Sequence, residues 1–579
     1  MSTRTFPETQ PEVPLPLSEP KTRKTVKGVH PGTTYTGAPI EPLQRGLPKT
    51  TQSLCPECTQ LIEARLFEEN GRVMMEKTCA AHGYFKDTVW SDVRLYLKAE
   101  QYTFGDGRGL HNPAVEDAVT CPSDCGLCSM HTSHTGLVNI DLTNRCNLTC
   151  PVCFANANVQ GYLYEPDFET VVGMLQRVRD ERPVAGRVVQ FSGGEPTLHP
   201  RFFDICAAAR DMGFSHVQAA TNGILLADPE FARQAKESGL TTLYLQFDGT
   251  CDEIYQRTRG ESLYEYKLKV IENARAVGMK IVFVPTIVKG VNDQEIGKIL
   301  QLALDNIDVI TAIVYQPVTF TGRINRNELA EKRFTSTDVA HCLEEQTGVL
   351  DSYGDWFPLA CVTPFSRLVS AMRGDPVTTL TCHPHCSLGT YLFVDEKSHQ
   401  AVPVTRFMDI PAMLQGMERI AAKTEKSRVK FFHKLDAWNT LRKHFKPELA
   451  PPGLDFTRFL QTLQGFTDKK LGRDGMDGKF SYRTLLVSCM HFMDSYNYDV
   501  ERVKRCVIHY SAPDGMIYPF CAYNSGPVFR ERVEKQFSVP LDGRLNQLDA
   551  ATLAKAKSNG NGNGNGAKRE LVEICGKCS

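Results

Sequence analysis

Cys146, Cys150 and Cys153 stand at C-x3-C-x2-C spacing, just after the β-favouring run Leu137-Val-Asn-Ile-Asp-Leu142, and Phe154 follows the last of them. Three thiols this close on one loop can converge on a single small inorganic cluster, and cysteine thiolates are the groups that hold iron–sulfur clusters. Four protein ligands would close a [4Fe–4S] cluster, whereas three leave one iron open to a small molecule. A structural zinc loop is the competing reading, but zinc sites usually close four ligands from paired C-x2-C knuckles, and this triplet does not.

The elements that would carry the loop follow from periodicity. Strands are predicted at 137–142, 187–191, 216–220, 242–247, 280–287 and 309–316. Helices are predicted at 169–180, 202–212, 230–237, 264–277 and from a cap at Asn292 to about 305. Six βα units with near-continuous apolar strands predict an α/β fold with a parallel sheet covered by helices. Periodicity allows a partial barrel or a doubly wound sheet equally. Polar motifs fall at the predicted strand ends, where barrels place function. Ser192-Gly193-Gly194-Glu195-Pro-Thr197 follows the second strand: two glycines permit close backbone approach to a ligand, and Glu195 can accept from an ammonium. Thr221-Asn222-Gly223 follows the third, Gln246-Phe-Asp248-Gly249 the fourth, and Val284-Pro-Thr-Ile-Val288 ends the fifth.

Other cysteines are grouped too. Cys55-Pro-Glu-Cys58 and Cys79-Ala-Ala-His82 flank two β-like runs about an Asn-Gly turn. Such a hairpin brings its ends together, so Cys55, Cys58 and Cys79 can bind zinc or a mononuclear iron, with His82 or a distant cysteine as fourth ligand. Cys121, Cys125 and Cys128 repeat the triplet spacing without a following aromatic. They predict an auxiliary cluster completed by a remote ligand, against a small zinc site, with His131 and His134 solvated. Cys361, Cys382 and Cys386, plus one of Cys489, Cys506 and Cys521, could close another cluster, with His383 and His385 keeping zinc open. Cys206, Cys251 and Cys342 read as small buried hydrophobes.

The chain has 579 residues, 20 cysteines and a formal net charge of −1. No global basic surface argues for nucleic acid, and no apolar run reaches the ~18–20 residues that cross a bilayer. Membrane contact is therefore at most peripheral. The N-terminus lacks the apolar core of a secretory signal, so grouped cysteines point to metal rather than disulfides in a cytoplasmic protein, with contact at a membrane surface left open. Residues 1–50 hold nine of the 33 prolines and read as a disordered arm. The expected divisions continue as a metal-binding hairpin over 51–100, an auxiliary cysteine segment over 101–135 and a barrel over 136–330. A C-terminal auxiliary-cluster domain over 331–530 and a flexible tail over 531–579 complete them. The tail has four Asn-Gly repeats at 559–566 and the pair Cys575 and Cys578.

The triplet with Phe154, and Gly-Gly-Glu behind it, resemble the radical S-adenosylmethionine (SAM) superfamily. The resemblance implies an open partial (β/α)6 barrel and a [4Fe–4S] cluster on Cys146, Cys150 and Cys153. Its open iron would bind SAM, which is cleaved reductively to a 5′-deoxyadenosyl radical. It further implies that Glu195 receives the SAM amino group, that Thr221 and Asn222 meet its carboxylate or ribose, that Gln246 and Asp248 face the ribose, and that Val288 walls the adenine. The hairpin knuckle, Cys-Pro-x2-Cys-Gly-x-Cys, Phe-Ala-x-Ala and His-Pro-His-Cys resemble the branch of tetraether lipid synthases and pterin-methylating enzymes over roughly 50–525. That branch implies one or two auxiliary [4Fe–4S] clusters, a rubredoxin-like iron and a reducing electron donor. Unactivated C–H bonds resist acid–base chemistry, so a radical cofactor must carry the hard step. The first functional expectation is carbon–carbon coupling of lipid alkyl chains, with a wide apolar tunnel. The second is C-methylation of a pterin or similar ring, with a compact polar pocket. The third is an iron–sulfur electron-transfer or scaffold protein, which Gly193, Gly194 and Glu195 argue against.

Overall fold

Asn70 and Gly71 both adopt positive φ, 53° and 76°, as a two-residue hairpin turn of type I′ requires. They lie within a computed structural model that describes residues 42–540, apart from 106–108, 156, 159–160, 322–328, 428–429, 466–481 and 527–528. Four strands surround the turn: β1 (Lys49–Leu54), β2 (Leu61–Glu69), β3 (Arg72–Cys79) and β4 (Gly83–Trp90) pair antiparallel in that order. The expected hairpin is thus the middle of a four-stranded ribbon, and β1 starts inside the stretch read as an arm. Residues 1–41 of that stretch lie outside the described residues. Alternate residues of β3 are buried, among them Lys77. Its ammonium donates to Ser53 Oγ at 2.9 Å and to the Ser495 carbonyl at 2.7 Å, which satisfies the buried charge and ties the ribbon to the rest. Helix α1 (Val93–Gln101) follows, capped by Asp92, as short polar side chains do at a helix start.

The main sheet uses β5 (Leu137–Thr143), β7 (Val188–Gly193), β8 (His216–Thr221), β9 (Thr242–Gln246), β10 (Lys280–Val284) and β12 (Ile310–Pro317), all parallel and in chain order. Short strands β6 (Tyr162–Leu163) and β11 (Thr286–Ile287) lie between them in sequence. Helices α2 (Phe168–Arg179), α3 (Phe202–Asp211), α4 (Pro229–Ser238), α5 (Asp252–Arg259), α6 (Tyr264–Val277) and α7 (Ile296–Asp305) connect them. A doubly wound sheet reverses strand order at a switch point; this order never reverses, so the sheet is a partial barrel. The predicted fifth strand is split at Pro285, a residue that cannot donate to a ladder. Asn292 makes no capping bond. Its buried side chain instead donates to the carbonyls of Asp248 and Thr286 and accepts from Val288 N.

The C-terminal region expected as a separate domain supplies strands to the same sheet. After β13 (Phe357–Pro358), β14 (Ser387–Asp395) and β15 (Ala401–Pro403), β16 (Tyr482–Met490) pairs parallel with β12, and β17 (Ile508–Ser511) pairs parallel with β5. Eight parallel strands result, flanked by antiparallel β14 on one side and β18 (Ile517–Pro519) on the other. The expected tail begins with order: Phe529–Gln536 is a helix and β19 (Val539–Pro540) pairs with β6. Residues 541–579, including Cys575 and Cys578, lie outside the described residues. One apolar core joins the barrel strands to the ribbon through Val73, Met75, Trp90 and Tyr96. Among the described residues no helix is long and apolar enough to cross a membrane.

Candidate functional site

The loop after β5 carries Cys146, Cys150 and Cys153. The end of β7 grips it: Gly194 N donates to the Thr143 carbonyl at 2.7 Å and Glu195 N to the Arg145 carbonyl at 2.8 Å. A Cβ on Gly193 would strike the Thr143 carbonyl oxygen, and one on Gly194 the Arg145 carbonyl oxygen. The two glycines therefore allow backbone to meet the cysteine loop, where the sequence suggested approach to a ligand. Asn158, unnoticed in the sequence, staples the other end. Its side chain accepts from Cys146 N at 3.0 Å and donates to the carbonyls of Cys146 at 2.7 Å and Leu148 at 3.1 Å. The triplet thiols lie within electrostatic reach of one another, and burial pushes those of Cys146 and Cys150 above the ordinary thiol range. Buried thiols raised in this way need a metal's charge to hold them ionised, so the donor set fits an iron–sulfur cluster.

Glu195 is buried with its carboxyl pushed up by desolvation. Oε1 accepts from Thr197 Oγ1 at 2.6 Å, Thr221 Oγ1 at 2.8 Å and Thr197 N at 3.2 Å; Oε2 accepts from Asn222 N at 2.8 Å. Among the described residues Glu195 has no ion pair, and Oε2 has room for another donor, which suits an ammonium. The Asn222 amide donates to Asn147 Oδ1 at 2.7 Å, joining the third strand end to the triplet loop.

Asp248 differs from expectation. Arg259 at the end of α5 holds it at 2.6 and 3.0 Å, and Thr286 N donates to it at 3.0 Å. Burial works to raise this carboxyl, but the guanidinium outweighs it and holds it low. Its carboxylate is committed to the protein rather than open to a ribose. Arg259 also lies within electrostatic reach of Cys150, so one guanidinium links β9 to the triplet. Lys267 in α6 is buried and donates to the Asn222 carbonyl at 2.5 Å and Gln246 Oε1 at 2.9 Å. Burial lowers it to about 7. Gln246 Nε2 leans towards Asp248 but finds no partner in hydrogen-bond geometry. Val288 packs on Val291, Val318 and Phe320, with Val152 of the triplet loop alongside. Phe154 is 44% exposed, 6.1 Å from the Phe520 ring and beneath the Arg530 guanidinium. Arg259 and Lys267 were missed because a basic residue on a predicted helix reads as a solvated face. The apolar residues Val270, Ile271 and Ala274 on the same helical face as Lys267 were the available signal.

In the ribbon, ligand atoms of Cys55, Cys58, Cys79 and His82 all lie within 4.8 Å of one another. His82 Nδ1 is 3.6 Å from Cys55 Sγ and 3.5 Å from Cys79 Sγ. Of the two candidates for the fourth position, the structure places His82 beside the three thiols.

Cys121, Cys125 and Cys128 gather within electrostatic reach of one another. Cys382 reaches Cys361, Cys386 and Cys506, and Cys506 reaches Cys386 and Cys521. Cys489 stands apart, its thiol beside Ser336. The His385 ring stacks on Tyr96 and its Nε2 lies 3.2 Å from the Tyr96 carbonyl, an arrangement that ties it away from a zinc role. His131 and His134 are buried rather than solvated; His131 Nε2 is 2.9 Å from the Cys506 carbonyl, and His134 Nε2 accepts from Thr379 N. Of the lone cysteines, Cys206 is buried, whereas Cys251 and Cys342 are partly exposed. Arg502 lies within electrostatic reach of Cys386 and Cys521, while its buried Nε, the Tyr498 hydroxyl and both ring nitrogens of His491 lack partners. Unsatisfied buried donors beside thiols fit a sulfur-rich group there.

Residues 140–303 match the radical SAM superfamily, and 47–91 match the HMPTM N-terminal zinc ribbon domain. Fold and match together define a radical SAM enzyme whose cofactors include SAM and a [4Fe–4S] cluster, with a zinc-binding ribbon at its N-terminal side. The 7,8-dihydro-6-hydroxymethylpterin dimethyltransferase of Methanocaldococcus jannaschii is 42% identical over 496 residues, 85% of this chain and 96% of that protein. The chain belongs to the radical SAM family of that dimethyltransferase. The Fe-coproporphyrin III synthase of Methanosarcina barkeri is 27% identical over 48% of this chain and 62% of its own. The S-adenosylmethionine complex of Streptococcus suis SuiB aligns with 41% of this chain and 52% of its own, at 17% identity and a TM-score of 0.30.

Proposed function

We propose that this radical SAM enzyme methylates carbon on a pterin ring. The observation that carries the reading is the 42% identity across 96% of the pterin dimethyltransferase, which favours methyl transfer over the lipid coupling first expected. Cys146, Cys150 and Cys153 would hold the SAM-cleaving cluster, and when bound, cluster and SAM supply the one-electron cleavage that generates a hydrogen-abstracting radical. Glu195 accepts the SAM ammonium at Oε2, held in place by Thr197, Thr221 and Asn222. Lys267 fixes the Asn222 carbonyl and the Gln246 amide, which leaves Gln246 Nε2 free to donate to bound SAM. Val288 presents an apolar wall beside the triplet loop, and Arg259 holds Asp248 and Cys150 in register. Cys121, Cys125 and Cys128 would hold one auxiliary cluster, and Cys361, Cys382 and Cys386 a second with Cys506 or Cys521. Cys55, Cys58, Cys79 and His82 would hold the ribbon's zinc or a mononuclear iron.

Reconstituted enzyme is incubated anaerobically with excess SAM, one equivalent as radical source and a second as methyl donor, and with dithionite to supply both electrons, together with either ring-deuterated 7,8-dihydro-6-hydroxymethylpterin or a deuterated long-chain lipid. The expected result is a methylated pterin, with label from the pterin arm alone in 5′-deoxyadenosine if its deuterated position is the one attacked. Label from the lipid arm, without methylated pterin, would replace this reading with hydrocarbon coupling.

A further inference from the structure

Tyr498 sits in the segment that follows β16 and is completely buried, yet its hydroxyl has no hydrogen-bond partner. Its ring belongs to the same apolar cluster as Cys121 and Cys521, with Cys125 at the margin. The thiols of Cys121, Cys521, Cys125 and Cys506 lie within electrostatic reach of the hydroxyl. Gly526 closes over it: a Cβ there would come within 2.8 Å of the hydroxyl oxygen. The ring cannot swing away to find water, because Met493, Tyr518 and Phe529 share its cluster. On the far side Ser53 Oγ donates to the Tyr498 carbonyl at 2.5 Å, which anchors its backbone to the ribbon. A buried hydroxyl kept without an acceptor in a close-packed core is unfavourable, and phenylalanine would fill the same space. The observation that singles Tyr498 out is a buried O–H donor without a partner in the cluster that holds Cys121 and Cys521.

We infer that Tyr498 is a positioning residue whose hydroxyl donates a hydrogen bond to a sulfur of the metal centre held by Cys121, Cys125 and Cys128. This rests on the reading of those cysteines as cluster ligands. Hydrogen bonds to cluster sulfur stabilise the more negative, reduced form and raise its potential. Sulfur acceptors are polarisable and accept weakly directed donors, so a phenol held by packing alone serves well.

The test is Tyr498→Phe, with iron and sulfide analysis and EPR-monitored redox titration of the reconstituted full chain. The expected result is unchanged iron content and a negative shift in the midpoint of the auxiliary signal that disappears in Cys121→Ala. The metal-free Tyr498→Phe chain should melt no lower than the metal-free parent, because no protein partner is lost, whereas the loaded variant should melt lower than the loaded parent. An auxiliary signal with an unmoved midpoint overturns the Tyr498 role while leaving the cluster reading intact. Iron and sulfide sufficient only for the Cys146 triplet and the ribbon overturn both. A fall in melting temperature confined to the metal-free variant shows a protein acceptor and also overturns the inference.

Discussion

Lys267→Met separates the energetic cost of a buried ammonium from its use. In the folded chain burial lowers this lysine from 10.5 to about 7, a shift of roughly 3.5 units, or about 5 kcal/mol at about 1.36 kcal/mol per unit. Above 10.5 both folded and unfolded chains carry the neutral amine and no penalty exists. As pH falls towards 7 the unfolded chain binds the proton and the folded chain does not, so folding loses stability progressively across that window. Below about 7 both forms bind it and the penalty is constant. Methionine has nearly the same length and no charge, so the variant should gain on the parent as pH falls, by about 3–5 kcal/mol at pH 7 relative to pH 10. The measurement is urea unfolding of metal-free parent and variant at pH 7, 8, 9 and 10, comparing the difference in midpoint-derived stability. SAM affinity should move the opposite way, because Asn222 and Gln246 lose the group that holds them. A stability difference that stays flat from pH 7 to 10 would refute the reasoning, since it would mean that Lys267 keeps its charge through folding.

Three further expectations follow from close contacts. Gly194→Ala places a methyl against the Arg145 carbonyl; it should cost about 1–3 kcal/mol by overpacking and weaken SAM binding, measured by equilibrium dialysis, while leaving ribbon metal content unchanged. Asp248→Asn strands the buried Arg259 guanidinium and should cost about 3–5 kcal/mol. The double variant with Arg259→Met should recover much of that stability in thermal melts without recovering SAM cleavage. His82→Ala should reduce ribbon metal retention against a chelator, read by metal analysis, with little change in 5′-deoxyadenosine formed.

The barrel was legible because its strands are long apolar runs and its polar motifs punctuate their ends. Which of two parallel architectures they build was not legible, because strand order is set by which edges meet and not by local period. Asp248 illustrates a subtler loss. A carboxylate at a strand end looks available until Arg259, eleven residues on, is folded back over it by α5, a helix that apolar periodicity did not predict. Lys267 was hidden because long basic side chains usually snorkel to water, and only tertiary packing shows that this one cannot. The cysteine groups were visible as groups, but Cys506 and Cys521 could be set apart from Cys489 only once β16 and β17 were placed on opposite edges of one sheet.

That placement of β16 and β17 governs how the molecule can be made. The first and sixth barrel strands, β5 and β12, stay bare edges until roughly 165 further residues bring β16 to β12 and roughly 190 bring β17 to β5. Bare strand edges template aggregation. Cys506 lies just before β17 and Cys521 soon after it, so covering the sheet and gathering the last thiols are one event. A ribosome-released fragment ending before β16 would own a complete triplet loop on an unfinished sheet, and would be expected to collect as insoluble protein rather than as a smaller working enzyme. Maturation of this enzyme is therefore ordered by its topology: the C-terminal thiols are gathered only once β17 has joined β5.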